Sequence, residues 1–221
     1  MNFRSVKIMP VLPPELPAGL VDMYLDKAVE YALESGEDVE KGRFYGEALP
    51  SVPETVDFRG CRFDKCDLSA LNDSRVSFVD CVLDHCDLSG TVLLRCTLQR
   101  VKLINCRLTG IRFSEGTLMN VLFEDCQMDY CSFDKEKVQH VSIKRCTMKE
   151  SIFVECKWQN FELEDCDVDG SEWSRTPLKG LDLTKSRFTY LRVDPAALRG
   201  MKVTSLQAMA LSRLLGLVIA D

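Results

Sequence analysis

Eleven cysteines and two histidines are the residues of this 221-residue chain best suited to metal or redox chemistry. Several cysteine pairs are five residues apart, which superficially resembles the spacing of zinc ligands. Cysteine is also a small, soft residue that packs well in a protein core, and this structural interpretation is the stronger one. The cysteine positions, all in the same class modulo five, are 61, 66, 81, 86, 96, 106, 126, 131, 146, 156 and 166.

A five-residue repeat therefore organises most of the chain. A large apolar residue follows two places after each cysteine, and the register continues where cysteine is replaced, from Phe58 to Val193, over 28 consecutive pentads. A helix would need a period of 3.6 and a strand a period of 2. Two inward residues in every five instead predict a chain that turns at each pentad, so that four pentads close one square coil and successive coils stack as parallel strands.

The pentads CDLSA at 66–70, CDLSG at 86–90 and CRLTG at 106–110 resemble those of the pentapeptide repeat family. The resemblance covers residues 56–194. It implies an all-β solenoid, a right-handed quadrilateral parallel β-helix of about seven coils. It says little about function, because one fold hosts many roles.

Residues twenty apart should stack in ladders, and one ladder consists of cysteines. A vertical ladder does not converge on one tetrahedral point, so we expect structural thiols and no metal or other cofactor. His85 and His140 fall on different faces and cannot form one site. No nucleophile–base set, glycine-rich phosphate loop or paired-carboxylate cleft is present, which indicates a noncatalytic protein. The ladder comprises Cys66, Cys86, Cys106, Cys126, Cys146 and Cys166.

Two pentads place a carboxylate where the repeat wants a core residue, namely Asp73 and Glu136. A lone buried carboxylate is costly. Either the chain swings outward locally, or the carboxylate accepts hydrogen bonds from backbone N–H groups. A surface feature for a partner and a simple local irregularity both remain open.

Charge is distributed unevenly over the four faces, which we number from pentads 56–60 (face 1), 61–65 (face 2), 66–70 (face 3) and 71–75 (face 4). Their net charges are +2, −2, −3 and 0. Adjacent acidic faces on a rod about as wide as a duplex suggest a DNA mimic, whereas the alternative is an ordinary solvated surface. The candidate partner-binding residues are Asp84, Asp87, Glu124, Asp125, Asp129, Glu162, Glu164, Asp165, Asp167 and Asp169.

The two ends lie outside the repeat. Residues 1–55 combine a proline-rich lead with a helical pattern at 20–35 that stops at Gly36, and we expect an N-terminal extension and helical cap. Residues 195–221 predict a short turn, a helix from Thr204 or Ser205 to about Leu215, and a strand at 217–220. The apolar side of this helix predicts a homodimer, the alternative being a cap on a monomer. The candidate interface is Leu206, Met209, Ala210, Leu214 and Leu215.

The helix followed by LLGLVIA resembles the C-terminal dimerisation element of quinolone-resistance (Qnr-type) pentapeptide proteins and their mycobacterial relative. That resemblance implies a DNA mimic that binds DNA gyrase or topoisomerase IV and gives quinolone protection. The chain departs from the Gram-negative members because no loop interrupts its repeats. The alternative function is a scaffolding rod with another protein partner.

Composition sets the remaining expectations. The net charge of −6 argues against binding nucleic acid. No apolar run approaches the length that spans a bilayer, and the N-terminus lacks the apolar core of a signal peptide. We therefore expect a cytoplasmic protein without a membrane partner.

Overall fold

The computed structural model describes residues 9–49 and 55–218, with only the backbone at 72–74. The N-terminal part contains β1 (Val21–Asp22), α1 (Leu25–Ser35), β2 (Val39–Glu40) and β3 (Gly42–Tyr45). The solenoid continues with β4 (Val56–Arg59), β5 (Arg62–Asp64), β6 (Asn72–Ser74), β7 (Val76–Val79), β8 (Val82–Asp84), β9 (Val92–Leu94), β10 (Thr97–Ile104), β11 (Arg112–Ser114), β12 (Thr117–Glu124), β13 (Ser132–Asp134), β14 (Lys137–Lys144), β15 (Ile152–Val154), β16 (Lys157–Glu164), β17 (Glu172–Ser174) and β18 (Arg192–Val193). A 3₁₀ turn (Pro195–Leu198), α2 (Ser205–Ser212) and a second 3₁₀ turn (Arg213–Leu215) complete the described chain.

Stacked parallel coils form the body of the molecule, which confirms the predicted β-solenoid. The first sheet stacks eight strands in the order β1-β3-β5-β8-β10-β12-β14-β16, with β2, β4 and β7 joined beside them. From β10 onward its strands run through the corner from face 1 to face 2. The second sheet, β6 to β18, forms face 4. Face 3 contributes a single bridge per coil, as at Asp67, Asp87 and Arg107.

The core is the pair of inward residues in each pentad. Residues twenty apart lie in register, as Phe113 opposite Phe133 and Phe153 opposite Trp173 show. These four rings stack nearly parallel, with centroids 5.1, 4.8 and 3.9 Å apart. Because each ring finds its partner in the next coil, the stack buries apolar area that a single coil would leave in water.

Most corners are turned by the fifth residue of the pentad in a left-handed backbone conformation. Glycine takes this position at Gly90 and Gly110, with φ near 70°. Elsewhere bulkier residues such as Arg100 and Tyr130 adopt it at φ 51° and 59°. The conformation costs an L-residue about 1 kcal/mol, so the stacked coils must hold these corners in place.

The N-terminal segment caps the solenoid, as expected, and also extends it. Leu25, Val29 and Ala32 of α1 are buried, and Gly36 ends the helix with φ 71°. Beyond the helix, β2 and β3 add a partial coil that pairs with β4 and β5. Phe44 of this coil stacks on Phe63 with centroids 5.0 Å apart.

Residues 12–17 form a strap that crosses the corner between faces 1 and 2. The Leu12 N–H donates to Asn120 Oδ1 (3.2 Å) and the Glu15 N–H to Asp80 Oδ1 (2.9 Å). Pro17 lies over Gly60, where a Cβ would come within 3.0 Å of the proline Cδ. The proline-rich lead therefore runs back along the rod, contacting several coils in turn.

Candidate interaction surfaces

The predicted acidic residues lie on faces 2 and 3 as the repeat requires, but basic residues of neighbouring coils pair with most of them. Arg145 Nε donates to Asp125 Oδ1 (2.8 Å) and its Nη2 donates to Glu124 Oε1 (2.6 Å). Arg107 pairs with Asp87. A residue twenty positions away lies one coil above or below, so these ions meet across the ladder.

In the segment 162–170, where acidic residues are most closely spaced, carboxylates are likewise paired with basic side chains. Glu164 binds Lys144 (2.9 Å) and Lys185 (2.6 Å), and these lysines, Lys185 first, lower the pKa of its carboxyl to about 2. Asp167 is buried and pairs with Arg187 (2.9 Å) and Lys149 (3.4 Å). The acidic faces are thus tied into the rod, and their net field is weaker than the count of carboxylates suggests.

Four further predicted residues complete this surface. Asp84 contacts His85 Nδ1 (2.6 Å) and Arg62 (3.4 Å). Asp169 accepts the Thr189 N–H (2.6 Å), and Asp129 accepts the backbone N–H of Lys149 (2.9 Å). Glu162 accepts the Ser142 hydroxyl (3.1 Å). These bonds hold the carboxylates in fixed directions.

Asp165 is different, because it is exposed and makes no side-chain hydrogen bond or ion pair with the described residues. It is the free charge among the candidates at 162–170. A partner that reads the acidic faces would find this carboxylate available without breaking a contact inside the rod.

The cysteine ladder is internal, and all eleven thiols are free and buried. Four of the six ladder sulfurs donate to a carbonyl of the preceding coil, as Cys166 Sγ does to Ile143 O at 3.3 Å. Burial raises the pKa of the Cys166 thiol to about 11 and that of Cys156 to about 12. Among residues 9–49 and 55–218, no group of three or more His, Cys, Asp or Glu side chains is arranged to hold a metal ion. The ladder is a packing and hydrogen-bonding device.

At Glu136 the second of the two expected outcomes is found, a carboxylate that accepts a hydrogen bond from a backbone N–H. Its side chain is buried in the core, and Oε1 accepts the Gly116 N–H at 2.8 Å while Oε2 has no partner among the described residues. Burial raises the pKa of this carboxyl to about 7. Gly116 makes room for this carboxylate, since a Cβ there would lie 3.1 Å from Glu136 Oε1 and 2.4 Å from Cys96 O.

At Asp73 the backbone itself departs from the regular repeat. The register between β6 and β9 shifts between Asn72 and Ser74, so the backbone bulges at Asp73. The side chain lies outside the described part of the structure. The bulge adds one residue to β6 relative to β9, at the point where the repeat has an aspartate.

The C-terminal helix α2 packs one side on the end of the rod and leaves the other side bare. Gln207 and Leu211 are buried, and the Gln207 amide donates to Leu183 O (2.9 Å) and Ser186 O (2.8 Å). Of the five predicted interface residues, Ala210 and Leu214 are half-buried against the core, whereas Leu206, Met209 and Leu215 are exposed.

The predicted strand at 217–220 falls partly outside the described residues. Leu217 and Val218 are exposed and form no strand, and 219–221 are not described. These two apolar residues add to the exposed apolar side chains at the C-terminal end.

The family comparison decides the classification. A model described as a pentapeptide repeat region matches residues 56–133 and 116–193, which is more than half of the chain. The chain belongs to the pentapeptide repeat family. No curated protein gives a significant match.

Several solved pentapeptide repeat structures are similar to this chain. Trypsin-treated QnrB1, described as a plasmid-mediated fluoroquinolone resistance protein, is 20% identical, with 91% of this chain and 97% of that chain covered and a TM-score of 0.42. HetL, from the cyanobacterium Nostoc and involved in heterocyst differentiation regulation, is 13% identical, with 82% and 91% covered and a TM-score of 0.30.

Two features of this pentapeptide repeat protein escaped the sequence analysis. The sequence does contain a signal for the ion pairs across coils, because opposite charges recur twenty residues apart, as at Asp87 and Arg107 or Asp182 and Lys202. Trp158, which the repeat places two residues after Cys156 and therefore in the core, is only half-buried, and its Nε1–H donates to Pro177 O in the next coil at 2.8 Å. No helix in the described part of the chain is long and apolar enough to cross a membrane.

Proposed function

We propose that this pentapeptide repeat protein is a noncatalytic protein-binding rod whose acidic faces 2 and 3 meet a basic surface of its partner. The observation that carries the proposal is the fixed array of carboxylates at coil spacing on two adjacent faces. Backbone and side-chain donors hold Asp129 and Asp169 in place, so binding would cost little side-chain ordering.

The sharpest form of the proposal is a DNA mimic that binds DNA gyrase or topoisomerase IV and protects it from quinolones. Its support is the likeness of the C-terminal tail to the quinolone-resistance proteins. The free carboxylate of Asp165 and its half-buried neighbour Glu162 are the charges that such an enzyme would contact first.

Gyrase supercoiling, measured across a titration of the protein with and without a quinolone, tests this form. We expect inhibition or relief of drug inhibition. The variant Glu162→Lys/Asp165→Lys should lose the effect, and Asp134→Lys/Glu172→Lys, two reversals on face 4, should keep it. An absence of any effect overturns the topoisomerase proposal, and an effect that survives reversal at 162 and 165 overturns the assignment of the acidic faces.

A second candidate function is a scaffolding rod, and the ion pairs across coils favour it. Arg145, Arg187 and Lys185 neutralise carboxylates on faces 2 and 3, which is what a rod that only needs stability and solubility would retain. Insensitivity of partner capture to the reversals at 162 and 165 would support this candidate.

Dimerisation through α2 is part of both candidate functions. Leu206 is 76% exposed, Met209 49% and Leu215 64%, and Leu217 and Val218, which follow them in the chain, are exposed as well. Two rods joined there would bury this surface about a two-fold axis. Light scattering after size exclusion should give a dimer for the parent and for Tyr130→Glu, and a monomer for Leu206→Glu/Met209→Glu. A parent that runs as a monomer contradicts the proposal.

A further inference from the structure

A groove at the corner between faces 4 and 1, near the C-terminal end of the solenoid, carries charge that the rod does not compensate. It encloses about 790 Å³, with Glu155, Cys156, Trp158 and Pro177 among its lining residues. Its cationic lining residues are Lys135, Lys137, Lys157, Arg175 and Lys179.

The positive charges of this cationic groove have few partners. Arg175 pairs with Glu155 (2.8 Å). The ammonium groups of the four lysines form no ion pair with any residue that the structure describes. This contrasts with faces 2 and 3, where several residues twenty apart are of opposite charge and meet as ion pairs, as Asp125 and Arg145 do.

Lys137 and Lys157 make the contrast sharper, because they lie opposite each other on β14 and β16. Like charges on adjacent rungs of a sheet destabilise it. The stability of the rod gives no reason for this pair, whereas an anionic ligand between the coils would turn the repulsion into attraction.

Trp158 supplies an apolar wall for the same groove. The Trp158 Nε1–H donates to Pro177 O at 2.8 Å, which fixes the indole. With its N–H engaged, the ring offers only its apolar surface to a ligand. An aromatic or aliphatic side chain flanked by carboxylates would satisfy both the ring and the lysines.

We propose that the cationic groove binds an extended acidic segment of a protein partner through its four lysines, with Trp158 receiving an apolar side chain of that segment. This site lies apart from the acidic faces and adds a second surface to the proposed function. Four of the five cations are lysine, although arginine is the usual residue for recognising phosphate in a bidentate manner. The net charge of −6 also repels a long polyanion such as a nucleic acid that runs beyond the groove.

Fluorescence anisotropy with the full chain tests the proposal. The probe is a fluorescein-labelled peptide of glutamates with one central phenylalanine, and the competitors are oligothymidylate and inorganic phosphate. We expect the peptide to bind, and Lys137→Gln/Lys157→Gln to weaken its affinity about tenfold, as the loss of two charge pairs implies. The control Lys102→Gln/Arg112→Gln removes two cations on faces 2 and 4 and should change the affinity less than twofold.

Trp158 gives a second readout. Peptide binding should shift the tryptophan emission of the parent, and Trp158→Phe should abolish the shift, since the remaining Trp173 is buried. Failure of the peptide to bind, or equal affinity for the parent and the Lys137→Gln/Lys157→Gln variant, overturns the proposal. If oligothymidylate or phosphate binds more strongly than the peptide and displaces it, the proposal is also overturned, in favour of a nucleic-acid or small-anion site. Circular dichroism confirms that each variant is folded.

Discussion

Replacing Glu136 with glutamine should make the protein more stable at neutral and alkaline pH. The carboxyl is 1% exposed, and its only described partner is the Gly116 N–H at 2.8 Å. Burial is the main cause that raises its pKa from 4.5 to about 7, with the charge of Asp134 adding and the Gly116 hydrogen bond opposing.

The pH window follows from these two values. Between pH 4.5 and pH 7 the folded chain keeps a proton on Glu136 that the unfolded chain has released, so the free energy of unfolding falls as the pH rises. At 1.36 kcal/mol for each pH unit, the loss amounts to about 3 kcal/mol and is complete above pH 7. Below pH 4.5 both states hold the proton and the contribution is fully present.

Glutamine keeps the acceptor for the Gly116 N–H and carries no charge at any pH. Glu136→Gln should therefore match the parent at pH 4.5 and exceed it by about 3 kcal/mol at pH 8. Surface carboxylates with lowered pKa, such as Glu164, change stability at low pH in both proteins alike. The difference between the two proteins isolates position 136.

Urea unfolding followed by tryptophan fluorescence, at intervals from pH 4.5 to pH 8.5, measures this difference. Glu115→Gln, which removes an exposed carboxylate paired with Arg95, is the matched control and should show no such rise with pH. A difference between Glu136→Gln and the parent that stays constant with pH, or a parent that is more stable at pH 8, would refute the reasoning.

Substitutions at three further positions test the backbone, the core and the strap. Gly90→Ala should lower the free energy of unfolding by about 1 kcal/mol, because φ is +70° and no atom lies within 4 Å of the added Cβ; an unchanged urea midpoint would contradict this. Cys106→Leu should lower the free energy of unfolding by about 2 kcal/mol, because the larger side chain overpacks the core. Cys106→Ser should lower it less, because Thr176 already places a hydroxyl at the equivalent position of another pentad. Calorimetry of the two variants shows which of them is less stable. Asp80→Ala removes the acceptor of the Glu15 N–H, and hydrogen exchange at 12–17 should accelerate while that of the buried strands does not.

The solenoid was predictable because its energetics repeat with the sequence. Nearly every pentad buries an apolar pair against the next coil, so the spacing of Phe113, Phe133 and Phe153 is enough to predict a stacked ladder. The N-terminal coil was less visible. Phe44 lies opposite Phe63, nineteen residues away, so one residue fewer separates this coil from the next and the five-residue phase is broken.

Charge pairing was harder to predict than packing. A net charge summed over a whole face treats Asp125 and Arg145 as independent charges. Because they are twenty residues apart, however, they lie on adjacent coils, and their side chains meet at 2.8 Å. The half-buried Trp158 likewise forms a hydrogen bond with Pro177 of the following coil. Neither effect is visible within a single pentad, since each is a relation between coils.

The distribution of unpaired charge also separates the two candidate functions. A DNA mimic relies on a long-range negative field, and the arginines and lysines on faces 2 and 3 reduce that field at the distances where steering operates. If a topoisomerase binds nonetheless, it must contact free groups such as Asp165 directly, and its affinity should then depend on salt only weakly. A scaffolding rod places its specificity where charge is uncompensated, which is the cationic groove. Binding that falls steeply with salt and with loss of Lys137 and Lys157 therefore points to the groove, whereas binding that survives salt and fails on reversal at 165 points to the acidic faces.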